Sequence, residues 1–219
     1  MREHAELMTS DLQSAPRGLS LLRSFARKRE AMERCDLCAT ELAHEHQHLL
    51  EPVRRKVVCA CHACSILFSS SGETKYKRVP RRVRYLPNFQ MSDGQWDSLM
   101  IPINMAFFFE STPENKIVAL YPSPGGPIES MLCLDSWNDI VRDNPALRAM
   151  EADVEALLVN RIAQSRGAGA AEYFVAPIDE CYKLVGLIRG SWRGFSGGTE
   201  VWREIGNFFA GLKEKSCPS

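Results

Sequence analysis

No run of about 18 consecutive apolar residues occurs in this chain of 219 residues, so no helical membrane span is expected. The opening stretch, MREHAELMTSDLQSAP, has no apolar core of the kind a secretory leader needs. The expected compartment is therefore the cytoplasm, where thiols stay reduced and close-set cysteines serve as ligands or redox groups rather than disulfides. No histidine follows His62, which denies residues 87–219 a Ser/His or Cys/His dyad of their own. Phosphate-binding patterns are missing as well. The glycines of Pro122–Pro127 are not followed by Lys-Ser/Thr, and Gly190–Gly198 lacks the Gly-x-Gly-x-x-Gly spacing. There is no internal repeat and no formal net charge.

What is present suits a globular protein. Hydrophobic residues make up 45% and charged residues 25%, enough apolar side chain to build a core and too little charge for disorder. The charge is unevenly spread. Residues 1–90 carry 16 Lys+Arg against 10 Asp+Glu, and residues 91–219 carry 11 against 17. All five histidines, His4, His44, His46, His48 and His62, lie in the basic part. This asymmetry suggests parts with different partners.

The expected architecture is α+β, with a small N-terminal zinc-ribbon-like module ahead of a mixed α+β domain. Residues 1–34 read as a polar tail and a basic helix from Arg17 to Glu33. Residues 35–86 read as a cysteine-rich ribbon with a basic strand, and residues 87–219 as the α+β domain. Six basic residues in ten, Lys75, Lys77, Arg78, Arg81, Arg82 and Arg84, interleave with Val79 and Val83 as in an edge strand. Strands are expected within Ile101–Phe109, at Lys116–Tyr121, at Ile128–Leu134 after the rigid Pro122–Pro127 turn, and at Glu172–Ala176. Helices are expected over Ser136–Arg142, over Glu151–Ile162 with Val154, Leu157, Leu158 and Ile162 inward, and from an Asp179 cap through Ile188. A last helix should start at a Thr199 cap. Cys181, Leu184, Val185 and Ile188 form the apolar face of the helix after Asp179.

Chemistry concentrates between Cys35 and Cys64. Cys35-Asp-Leu-Cys38 and Cys61-His-Ala-Cys64 are two Cys-x-x-Cys knuckles separated by 22 residues. Each such turn points two thiolates at one ion, and two turns complete a tetrahedral four-sulfur site. Gln47–Leu50 and Lys56–Ala60 pair as a hairpin turning near Pro52, which brings the knuckles together. Cys35, Cys38, Cys61 and Cys64 are the expected ligands. Cys59 and His48 are candidates for a ligand or for contact with the metal from outside, whereas His44, His46 and His62 read as exposed. Zinc is the expected metal, and iron or an iron–sulfur cluster are the alternatives. Rubredoxin-type iron knuckles carry glycine after the second cysteine, where this chain has Ala39 and Ser65.

Arg78, Arg81 and Arg82 in the basic run, and Arg189, Trp192 and Arg193 before the glycine-rich turn, are candidate partner contacts. A basic stripe beside a zinc ribbon also fits nucleic-acid binding by counterion release, although the acidic half of the chain could satisfy the same charges.

Several stretches carry a resemblance: Arg34-Cys-Asp-Leu-Cys38, His46-Gln-His-Leu-Leu50, Cys59-Ala-Cys-His-Ala-Cys64, Tyr121-Pro-Ser-Pro-Gly-Gly126, Asp153-Val-Glu-Ala-Leu-Leu158, Pro177-Ile-Asp-Glu-Cys-Tyr182 and Trp192-Arg-Gly194. With these the sequence resembles a bacterial domain-of-unknown-function family whose genes neighbour those of nickel–iron hydrogenases. The resemblance implies a context and no residue roles: a metal-binding accessory protein of a hydrogenase system, engaged in assembly, maturation or the complex itself, and bound to a hydrogenase subunit or another accessory protein. A rubredoxin-like electron carrier and a nucleic-acid-binding zinc protein are the other readings. No residue reads as catalytic.

Overall fold

The computed structural model describes residues 32–69, 75–131, 134–194 and 196–218. The chain divides into Met1–Met32 and Glu33–Ser219, and the fold below is that of the second unit. The helix expected over Arg17–Glu33 lies outside the described residues, except for its last two, which are not helical.

The hairpin forms where the apolar pattern places it. Strand β1 (Gln47–Glu51) pairs antiparallel with β2 (Lys56–Ala60), with Leu49 opposite Val58 and His48 opposite Cys59. Between them Pro52–Arg54 makes one 3-10 turn, closed by Arg55 in the left-handed region at φ 50°. Strand β3 (Lys77–Arg78) adds to the other edge of β1. Only this short piece of the basic run pairs in that sheet. Side chains alternate across a strand, so the sheet has two working faces. Leu49, Val58 and Ala60 pack with Cys35 and Cys64 in a small core. Leu50 and Val57, on the opposite face, join the main core of the unit.

That main core is built on a larger sheet. Among the described residues its strand order is β10-β4-β9-β8-β5-β6-β7. The strands are β4 (Arg84–Tyr85), β5 (Met105–Ser111), β6 (Lys116–Ser123), β7 (Gly126–Ser130), β8 (Glu155–Asn160), β9 (Glu172–Pro177) and β10 (Cys217–Pro218). All neighbours are antiparallel except β10 and β4. The proline-rich turn ends in a tight hairpin, where Ser123 pairs with Gly126 and its hydroxyl donates to the Gly126 carbonyl at 2.8 Å.

Both faces of this sheet are covered. Phe107, Leu158 and Phe174 meet Cys181, Leu184 and Ile188 of helix α5 (Ile178–Ser191), with Val201, Ile205 and Phe209 of α6 (Gly198–Lys215). Ala106, Phe108, Leu157 and Val175 meet Trp96 of α2 (Asp93–Ser98) and Trp137 and Ile140 of α3 (Leu134–Asp143). Two short helices complete the unit, α1 (His62–Leu67) and α4 (Ile162–Ser165). Helices and antiparallel sheets together make the fold mixed α+β, as the sequence predicts.

Three local expectations are corrected. Glu151–Ile162 is not a helix; its core is β8, buried at every position. A central strand covered on both faces has no polar side to show, so its apolar run reads with helical spacing as easily as with a period of two. Asp179 does not cap α5. Pro177 occupies the N-cap, and Asp179 lies inside the first turn. Thr199 does not cap α6 either; Gly197 does, at φ 84°. A Cβ there would come within 2.7 Å of Val201 Cγ1, so glycine is required for the helix to start against Trp192.

Candidate metal centre

Two turns build the cysteine quartet. In the first, Cys35 N–H donates to the Thr40 carbonyl and Ala39 N–H to the Cys35 carbonyl, both at 2.8 Å. Ala39 takes the left-handed conformation at φ 61°, so alanine adopts the geometry for which glycine is the usual residue. Asp36 ties this turn to β2. Its N–H donates to the Cys59 carbonyl at 2.9 Å, and its carboxylate accepts from Cys59 N–H at 2.6 Å. In the second turn Cys61 is the N-cap of α1, and its sulfur accepts from Cys64 N–H at 3.4 Å.

The result is a four-sulfur cluster. The sulfurs of Cys35, Cys38, Cys61 and Cys64 lie within 4.8 Å of one another. Cys38 and Cys61 are 3.7 Å apart. A tetrahedron with metal–sulfur bonds of about 2.3 Å has edges of about 3.8 Å, so this spacing fits one ion at the centre. Cys35 and Cys64 are buried and Cys38 is exposed.

Electrostatics divide the thiols. The Thr40 hydroxyl, 3.3 Å from the Cys38 sulfur, and the Thr40 N–H lower the Cys38 thiol to about 6. Burial pushes Cys35 up, but the N–H groups of Cys61, Leu37 and Cys38 outweigh it and lower its pKa. Cys64 is raised well above the ordinary value by burial and by the neighbouring sulfurs. Four thiolates in so small a space repel one another, and a divalent cation is what lets all four ionise together.

Cys59 and His48 belong to a second cluster. With His46 they offer one donor atom each, all within 4.8 Å of one another. His46, expected to be exposed, has a side chain only 7% exposed, whereas His44 and His62 are exposed. His48 Nδ1 stands 2.6 Å from Asp179 Oδ2 at the start of α5. The hairpin expected from the sequence sets His48 opposite Cys59, away from the quartet to which the sequence assigns both as candidates. The Asp179 partner has no local signal in the sequence, because it lies 131 residues away.

The candidate partner residues are scattered. Arg78 donates to Gln47 at 3.2 Å, and Arg82 pairs with Glu155 at 3.1 Å. Exposed Arg81 borders a cavity of about 450 Å³ together with His46, His48 and Asp179. Arg193 donates to the carbonyls of Gly190 and Trp192, and Trp192 Nε1 donates to the Gly194 carbonyl. Arg189 is exposed near the end of α5. Trp192 lines a different, mostly apolar cavity of about 390 Å³ with Tyr121 and Trp202. No helix among the described residues is long and apolar enough to cross a membrane.

The model of a family described as "Family of unknown function (DUF5947)" matches residues 34–216. The chain belongs to that family. No curated protein and no solved structure matches it.

Proposed function

We propose that this DUF5947 member is a zinc-binding accessory protein that acts through protein–protein contacts. The observation that carries the reading is the quartet of Cys35, Cys38, Cys61 and Cys64, whose 3.7 Å edge fits a closed tetrahedral ion. Four sulfur ligands leave no open coordination position, so the ion serves structure or docking. Directly after Cys64, Ile66, Leu67 and Phe68 are 45%, 71% and 44% exposed. The second knuckle thus carries an apolar surface of the kind protein partners cover. Of the expected partner contacts, Arg78, Arg81, Arg82, Arg189 and Arg193 are exposed and Trp192 is half-buried. The system it serves, nickel–iron hydrogenase assembly or the hydrogenase complex, rests on the motif resemblance alone.

A second reading, an iron electron carrier, is favoured by the exposure of Cys38 and by the left-handed Ala39, which together bring one edge of the quartet to the surface. Elemental analysis and a visible spectrum of protein purified from its native host separate the two. Colourless protein holding zinc in the quartet is expected, and a red, reducible iron protein would overturn the zinc assignment. Co-purification with a hydrogenase subunit is expected, and recovery of nucleic acid alone would refute the accessory role.

A further inference from the structure

The other face of the ribbon sheet also carries side chains of metal-donor type, which the quartet does not use. His48 and Cys59 stand opposite each other on β1 and β2, and His46 precedes β1 by one residue. We infer that His46, His48 and Cys59 form a second metal site, separate from the cysteine quartet, which takes a divalent transition-metal ion such as zinc or cobalt(II) and leaves one coordination position to solvent or a small ligand.

Three independent features point to a ligand. First, the donors converge: one ring nitrogen of each histidine and the Cys59 sulfur lie within 4.8 Å of one another. A tetrahedral ion with bonds of about 2.0–2.3 Å places such donors about 3.3–3.6 Å apart, so a small side-chain rotation closes the site. Second, His46 Nε2 is buried without a hydrogen-bond partner, in a side chain that is 93% buried. An unpaired polar atom in that position is destabilising unless something occupies it. Third, the other nitrogens are already arranged as in metal-bound histidine. His46 Nδ1 donates to the Ala43 carbonyl at 3.0 Å and stands 3.5 Å from Glu33 Oε2, so Nδ1 carries a proton and Nε2 is the nitrogen that the neutral ring offers to a metal. His48 Nδ1 is 2.6 Å from the Asp179 carboxylate, the carboxylate–histidine pairing that fixes the ring and raises its basicity toward a metal.

The chemistry differs from that of the quartet. Two imidazoles and one thiolate suit borderline divalent ions, and three protein donors leave a coordination position that four thiolates do not. Both histidines border the cavity of about 450 Å³, whose wall includes Arg81, Lys183 and Lys215. Glu45, Asp179 and Glu180 line the same wall, so the open position faces a polar cavity of mixed charge that water or a small ligand can enter. The ion would also join β1 and β2 to α5 through His48 and Asp179.

Cobalt(II) titration of the metal-stripped full-length chain tests this, followed by visible absorption and elemental analysis. The wild type is expected to bind two ions per chain. His46→Gln and His48→Gln are each expected to bind one, with the quartet's thiolate charge-transfer band unchanged. Asp179→Asn is expected to keep two ions but to bind the second 10–100-fold more weakly, the usual effect of removing a histidine's carboxylate partner. Saturation of the wild type at none, or at one ion that both histidine variants retain, overturns the site, as does either histidine variant still holding two. A wild type that holds one ion, lost in both histidine variants and showing the charge-transfer intensity of one thiolate instead of four, would refute the quartet's role and leave this site standing.

Discussion

Cys38 and Cys64 point sulfurs into one small space with opposite acid–base character. Hydrogen bonding with the Thr40 side chain and backbone lowers the exposed Cys38 to about 6, whereas burial and the other sulfurs raise Cys64. Only a thiolate is nucleophilic. In the metal-stripped protein Cys38 is deprotonated above about pH 6 and protonated below it. Among the four sulfurs of the quartet, a brief iodoacetamide pulse at pH 7 is therefore expected to label Cys38 first and Cys64 last. The Cys38 rate should rise with pH through about 6. Peptide mass spectrometry reads the order, and equal labelling of the two would refute the assignment. With metal bound, both should be protected. The same scale explains Ala39. A residue with a Cβ is held at φ 61° by the Ala39 N–H bond to Cys35, so the knuckle keeps its shape at a site where glycine would be easier.

Strand β8 shows what an element gains from its place in a sheet. Ala156 and Leu158 enter one core while Leu157 and Val159 enter the other, and every residue of the strand is buried. Its neighbours β5 and β9 pair with it along nearly its whole length. Removing side-chain volume there leaves a cavity between two rigid layers. Leu158→Ala is expected to cost about 2–5 kcal/mol, read from the urea midpoint. A cost below about 1 kcal/mol would mean that the strand is less centrally packed than described. The reading of this segment as a helix failed for the same reason that the substitution should be costly: both faces are apolar because both are covered.

Charge organises the whole unit. The basic run of the N-terminal part is met by the chain's own acidic part. Lys77 pairs with buried Asp153 at 2.6 Å, and Arg82 and Arg84 reach buried Glu155 at 3.1 and 3.5 Å. Asp153 also accepts from the Thr112 N–H and hydroxyl, and Glu155 accepts from the Glu151 N–H. These contacts hold the stretch between the ribbon and the large sheet, and they engage cations that a nucleic-acid reading would need free. Replacing one partner leaves charge buried without compensation. Glu155→Gln is expected to destabilise the fold by about 3 kcal/mol, measured by urea denaturation. The exposed Arg142–Asp139 pair serves as a control, and Asp139→Asn should cost less than about 1 kcal/mol. Equal effects at the two sites would refute a structural role for the buried pair.

The sequence by itself determined the parts whose partners are near in the chain. Two Cys-x-x-Cys turns, a hairpin at Pro52, the buried faces of α5 and α6 and the α+β class follow from local spacing and period. Tertiary structure alone decided the rest. Whether Leu157 and Leu158 lie on a helix or a strand depends on what covers them. Whether Lys77 and Arg82 face a partner or the chain itself depends on carboxylates more than seventy residues away. That His46 is buried, and that His48 meets Asp179 across 131 residues, depends on how the ribbon's second face packs against α5. Local pattern fixes which donors a segment offers, and packing fixes which of them converge.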